Sequence, residues 1–413
     1  MLQVIKNILN NQLYAVSLYA RQIAGTLVLF IIARYLSVYD FGLFSSYKNI
    51  ASFCFMFANL GFADYILVSS QANVKKVKLK ISLFLLNAIN IAILIALGSI
   101  FFNLESHLLF TLIIIRTFFD GTFFTLILPY FQATKTFNTI AKINIFYAIG
   151  ISIIAIISYI LKLSLIKFLI LNIALGLFNI IQCSYFAKIN YLLVFKHLKR
   201  FCKMIDKGIF AYVGSTIANV LYSQISSLYV ATYLLKEQAA LYFSAFTISG
   251  IIWLLINAQT QKMLPELIKT SLSQAKIIIK KNLIFILSIT GLVFLFMLLF
   301  GKWLLLALYG QNYYTNAYLI LLILMFANIC VSEAGVFGIY ITASGNQKQK
   351  IPMQLEATVI TILGLLVLHK YGIYGAAISY LLAAIYISIR YTTFTLKLIN
   401  NQNTKEITCN SNN

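Results

Sequence analysis

The chain has 413 residues, of which 61% are apolar and only 10% charged, with a mean hydropathy of +0.89. A water-soluble domain carries about a quarter charged residues, so a soluble enzyme is excluded; at roughly 20 apolar residues per span, about twelve helices would use the whole chain. The balance of 32 Lys and Arg against 10 Asp and Glu leaves a net charge of +22, which in a soluble chain would suggest a nucleic-acid partner. Here the cations fall mainly between apolar segments, so they read as orientation signals, and no nucleic-acid partner is expected.

Reading apolar runs against polar or basic breaks predicts spans near 13–33, 41–68, 81–102, 108–130, 140–161 and 165–187 in the first half. Spans near 208–234, 239–261, 282–301, 316–342, 352–369 and 373–396 follow in the second. Arg21 and Gln22 interrupt the first apolar stretch and no small-residue cleavage site follows, which predicts an uncleaved first helix. The second span is long enough to tilt or bend, with Gly42 and Gly61 as soft points.

Counting Lys and Arg on alternate sides puts 22 cations with the N-terminus, the even-numbered connections and the C-terminal tail. The opposite side holds six, namely Arg34, Lys162, Lys167, Lys236, Lys302 and Lys370. By the positive-inside rule both termini are cytoplasmic. Residues 188–207 place Phe195, Leu198, Cys202 and Ile205 at helical spacing, with Lys196, Lys199, Arg200, Lys203 and Lys207 on the other faces. That pattern predicts a basic amphipathic linker on the inner leaflet between two six-helix halves. The division is then 1–187, the linker 188–207, 208–396, and a polar tail 397–413 expected to be disordered.

A shift of 198 residues lays Ala33, Tyr35 and Leu36 on Ala231, Tyr233 and Leu234, and Leu43, Ser46 and Ile50 on Leu241, Ser244 and Ile248. Each set spans the end of a first helix and the start of a second. Six helices per half give both halves the same orientation, as parallel repeats enclosing a cavity, a transporter design rather than a channel.

Ionisable residues inside a span are costly and are functional candidates by default. Arg21 lies roughly 12 Å in from the cytoplasmic end of its helix, and Lys48 and Arg116 roughly 10–12 Å in from the outer ends of theirs. Arg390, near a cytoplasmic end, can snorkel to the interface. Asp120 follows Arg116 by four residues and shares its helix face; either the two neutralise each other or Asp120 releases Arg116 when a ligand or proton arrives. Asp64 and Glu333, toward cytoplasmic ends, are weaker candidates, and Glu333 reads as the clear intramembrane acid of the second half. The seventh and eighth spans carry many hydroxyls and amides, which act as interhelical glue or line a wet cavity suited to sugars.

No nucleophile-base constellation, Walker motif or phosphate loop occurs, so neither an enzyme nor an ATP-driven pump is read. Cys54, Cys183, Cys202, Cys330 and Cys409 show no CxxC pairing, and no metal or cofactor is indicated.

The stretch Leu36-Ser-Val-Tyr-Asp40-Phe-Gly42-Leu-Phe-Ser45 resembles the junction between helices 1 and 2 of Wzx-type polysaccharide and O-antigen repeat-unit flippases. These belong to the multidrug/oligosaccharidyl-lipid/polysaccharide exporter superfamily. The similarity continues at Leu308-Tyr-Gly310-Gln-Asn-Tyr313, at Thr342-Ala-Ser-Gly345-Asn-Gln-Lys348 and at Tyr371-Gly-Ile-Tyr-Gly375-Ala-Ala377. The resemblance implies an all-α protein of about twelve helices in the bacterial cytoplasmic membrane. It would carry an undecaprenyl-diphosphate-linked oligosaccharide between leaflets by alternating access, with proton or sodium as coupling ion and a polysaccharide polymerase and chain-length proteins as partners. On the residues, Arg21, Lys48 and Arg116 are the cations suited to a diphosphate, and Asp120, Asp64 and Glu333 the acids suited to coupling or ion pairing. Two rivals share the substrate or the fold: a multidrug antiporter, which would want an acidic cavity, and a polysaccharide polymerase, which would want a larger outer loop than Lys302 to Thr315.

Overall fold

A backbone with no water to bond to must satisfy itself, and in a chain this apolar the α-helix does so within each segment. The computed structural model describes residues 2–59, 87–93, 95, 105–123, 127–128, 130–131, 134, 136–187, 209–252, 263, 267, 270 and 272–411, and no strand occurs among them. The linker expected at 188–207, Gly61, Asp64 and most of the third span lie outside the described residues.

The chain divides into two compact units, Met1–Ile217 and Ala218–Asn413. The first contains α1 (Leu2–Tyr35), α2 (Val38–Asn59), α3 (His107–Thr117), α4 (Phe137–Ile160) and α5 (Leu165–Ala187). A π-helical segment, Phe118–Phe123, continues α3. Helix α4 packs along α1 and against α5, while α3 and the π segment sit between α2 and α5. Helix α6 (Ile209–Tyr233) contains the division between units, and α7 (Lys236–Ser249), α8 (Leu272–Tyr309), α9 (Tyr318–Ala343), α10 (Lys350–Leu368) and α11 (Gly372–Ser411) complete the second unit. Within it α9 is the hub, packed against α7, α8 and α11, with α10 lying on α11. Helix α8 carries much of the apolar outer surface, with Leu292, Leu295, Leu299 and Trp303 exposed, as expected of a face turned to lipid.

The 198-residue register reaches the helix ends: α1 and α6 stop at Tyr35 and Tyr233, and α2 and α7 start at Val38 and Lys236. Burial follows the same register, since Ser46 and Ser244 are both fully buried and Phe44 and Tyr242 both sit in the core. The first junction is closed by a local device. The Asp40 amide donates to Ser37 Oγ at 3.0 Å and the Ser37 hydroxyl donates to Asp40 Oδ2 at 2.6 Å, a capping pair that satisfies donors at a helix start.

The other motifs have a conformational basis too. Gly310, Gly345 and Gly372 all have positive φ, 97°, 77° and 55°, which glycine adopts without a Cβ penalty. Each ends or reverses a helix in one of the short motifs. At Gly375 a Cβ would stand 2.1 Å from the Leu368 carbonyl oxygen, so the closeness of α10 and α11 requires glycine there.

Three expectations need correction. The tail after Lys397 is helical through Ser411, because no Gly or Pro follows Gly375 and Asn, Gln and Thr weaken a helix without ending it. The span expected at 282–301 belongs to a helix of 38 residues, whose first turns carry Lys276, Lys280 and Lys281 beyond the apolar stretch. The hydroxyls expected as interhelical glue in the second unit mostly bond their own helix: Ser223 to Asn219 O, Thr232 to Leu228 O, Thr247 to Phe243 O and Ser249 to Phe246 O. A hydroxyl three or four residues on finds that carbonyl without any neighbour.

Candidate functional site

Four helices of the first unit converge on Asp120. Arg21 of α1 donates from Nη2 to the Asp120 backbone carbonyl at 2.9 Å and from Nη1 to Asn144 Oδ1 of α4 at 3.5 Å. Its guanidinium carbon lies 3.9 Å from the centroid of the Tyr147 ring. Asn144 and Tyr147, three residues apart, share one face of α4, so a single helix supplies both an acceptor and a π-face. The carbonyl that Arg21 takes belongs to the π segment, a widened turn of the kind often found at functional sites.

Arg116 reaches the same residue by its side chain. Its Nε lies 3.1 Å from Asp120 Oδ2, with the two side chains only 10% and 18% exposed. Its guanidinium carbon is 5.7 Å from the Phe44 ring centroid and 5.5 Å from that of Phe168, positions from which an aromatic face attracts a cation. Lys48 of α2 lies within electrostatic range of both Arg116 and Asp120. Arg21, Lys48, Arg116 and Asp120, expected on three separate spans, therefore form one cluster. Among the described residues, three cations face one carboxylate there, a surplus of two positive charges.

The inner face of α5 completes the surroundings. Gly176 is there because a Cβ would lie 2.7 Å from Phe119 Cβ and 3.2 Å from Asp120 Oδ1. Asn172, Gly176, Asn179 and Cys183 are all buried, at helical spacing on one face, and Cys183 lies near Arg21. Among the described residues, neither amide atom of Asn179 has a hydrogen-bond partner. Buried polar groups of this kind take up ordered water or a ligand.

The remaining sequence candidates lie elsewhere. Glu333 of α9 accepts a hydrogen bond from Ser388 Oγ of α11 at 2.8 Å, in the second unit and with no ion-pair partner among the described residues. Arg390, expected to snorkel alone, is paired with Glu356 of α10 at 3.2 Å, with both side chains more than two-fifths exposed, and Tyr386 donates to the same carboxylate. Glu356, near the start of α10, is thus a further acid of this half, held by Arg390 and not by the cluster. Among the described residues no group of three or more His, Cys, Asp and Glu side chains comes together to hold a metal.

Asn144, Tyr147, Gly176 and Asn179 are the residues of this site that pattern reading missed. The available signal was amides set within mainly apolar spans: Asn144 in α4, and Asn172 and Asn179 seven residues apart in α5. Burying an unbonded amide is costly, so such a residue marks a place where something is bonded.

No protein-family profile matches the sequence, and no curated protein does. Solved structures do. An inward-facing multidrug resistance MATE family transporter of the MOP superfamily aligns over 93% of this chain and 96% of its own, at 10% identity and a TM-score of 0.66. The lipid II flippase MurJ, in an inward closed conformation, aligns over 93% and 87%, at 17% identity and a TM-score of 0.66. A MOP superfamily transporter from Pyrococcus furiosus, described as having a binding pocket of reverse polarity, aligns over 96% and 96%, at 12% identity and a TM-score of 0.67. At these identities the likeness, carried by the TM-scores and the near-complete coverage, shows the fold alone: that of a multi-pass helical membrane protein with the architecture of MOP transporters.

Proposed function

We propose that this chain is a flippase that moves an undecaprenyl-diphosphate-linked oligosaccharide repeat unit from the inner to the outer leaflet of a bacterial cytoplasmic membrane by alternating access. The carrying observation is the cluster of Arg21, Lys48 and Arg116 around the single carboxylate of Asp120. A diphosphate is the head group that such a surplus suits, because a desolvated guanidinium bonds phosphate oxygens in a fork and an ammonium adds a point charge. A carrier of cationic drugs would need the opposite sign. The fold is shared with a lipid II flippase and equally with a multidrug transporter, so the fold admits a lipid-linked substrate and the sign of the cluster is what favours one.

In this reading both termini are cytoplasmic, on the 22-to-6 distribution of cations. Coupling to protons or sodium draws on an acid that no cation already holds. Glu333, bonded to a serine, answers that description better than Asp120, and Asp64 remains a third candidate from the sequence. A polysaccharide polymerase and chain-length proteins are the expected partners at the outer leaflet.

The test is display of surface glycan in a flippase-null host, normalised to the amount of protein in the membrane. The Arg21→Ala, Lys48→Ala, Arg116→Ala triple variant is expected to insert and to lose export. Full export by that variant would remove the basis for a phosphate-binding cluster.

A further inference from the structure

The Arg21 guanidinium is held in place by a buried clamp that bridges α1 and α4, and the clamp residue is Asn144. Ser17 and Arg21 are four residues apart and face the same way on α1. Asn144, fully buried, spans the two: its Nδ2 donates to Ser17 Oγ at 3.3 Å and its Oδ1 accepts from Arg21 Nη1 at 3.5 Å. The orientation of the amide follows from chemistry alone. Arginine has no acceptor, so the amide oxygen must face it, and the amide nitrogen is left for the serine hydroxyl.

With Tyr147 under one face and the Asp120 carbonyl on Nη2, Arg21 is constrained from three directions. A free arginine side chain loses about 2 kcal/mol of rotamer freedom when a ligand immobilises it, whereas a clamped one has already lost most of it. Charge selects Asn over its isostere. Aspartate at 144 would keep the shape and the acceptor but would place a second carboxylate on Arg21, reducing the surplus in the cluster from two charges to one.

We infer that Asn144 is a positioning residue for phosphate recognition, acting through Arg21 and not by touching the substrate. This rests on the flippase reading above. It extends that reading to a residue on a different helix and fixes the neutral amide there as a requirement for anion binding.

The test measures binding of farnesyl diphosphate, a short isoprenoid diphosphate, to the purified full-length chain in nanodiscs, with farnesol as the uncharged control. Asn144→Ala is expected to weaken farnesyl diphosphate about tenfold, the size of one charge-assisted hydrogen bond, and to leave farnesol unchanged. In an Arg21→Ala background the same change is expected to have an effect of less than about twofold, because its target is gone. Asn144→Asp, which keeps the side-chain volume and is checked for folding by its retained farnesol binding, is expected to lose as much as Arg21→Ala does. Equal weakening by Asn144→Ala in both backgrounds, or wild-type affinity in Asn144→Asp, overturns the inference and makes Asn144 a packing residue. A wild-type chain that does not distinguish farnesyl diphosphate from farnesol overturns the flippase reading itself, and the positioning role with it.

Discussion

Replacing Asp120 by leucine leaves Arg116 with two aromatic rings and no counter-ion among the described residues. Breaking a buried pair from one side costs about 3–5 kcal/mol, because the remaining charge stays desolvated. The Arg116 and Asp120 side chains are 10% and 18% exposed, and the rings of Phe44 and Phe168 still face the guanidinium, which places the expected loss near the lower end, about 3 kcal/mol. Removing both partners is different. An Arg116→Leu, Asp120→Leu variant fills the same space with apolar side chains, and such replacements are often neutral or stabilising. Stability and function therefore separate: the single variant is expected to melt early by fluorescence-detected gel filtration, whereas the double is expected to recover most of that loss and still to lose export, since of these two residues Arg116 is the one that contributes phosphate-binding charge. A double variant as unstable as the single would show that the pair is not the source of the coupling. A double variant that exports normally would show that Arg116 does not meet the substrate.

The orientation predicts that, in a cysteine-free background and intact spheroplasts, Lys162→Cys is labelled by an impermeant thiol reagent and Lys348→Cys is not; both positions are exposed in the structure, and the reverse pattern would invert the topology. Arg390→Ala is expected to retain export at more than half of wild type, because its pair with Glu356 is more than two-fifths exposed and lies in the other unit from the cluster; loss of export at normal protein level would place that pair in the transport path. Gly375→Ala is expected to lower the amount of folded protein, at a cost of at least about 1–3 kcal/mol from overpacking, since its Cβ would lie 2.1 Å from the Leu368 carbonyl; unchanged thermal stability would mean that α10 and α11 sit further apart than described.

Composition and periodicity alone determined that this is an all-helical membrane protein, that the helix junctions at Tyr35 and Tyr233 correspond, and that Arg21, Lys48, Arg116 and Asp120 are the side chains to examine. Those features are local or repetitive. A span is legible from its own twenty residues, a repeat from the register between its two copies, and a misplaced charge from the apolar residues around it. Tertiary structure decided what each charge meets. The pairing of Arg116 with Asp120 was within reach, since four residues make one helical turn, but the bond from Arg21 to the Asp120 carbonyl joins residues 99 apart. The clamp at Asn144 lies 123 residues from the arginine it holds, and the partner of Arg390 is on another helix. The π segment was equally hidden, because apolar spacing does not show where a helix takes in one extra residue. Gly176 shows the limit most plainly: its neighbours in sequence give no reason for glycine, and the reason is Phe119, with the Asp120 carboxylate behind it, which the π segment brings against α5.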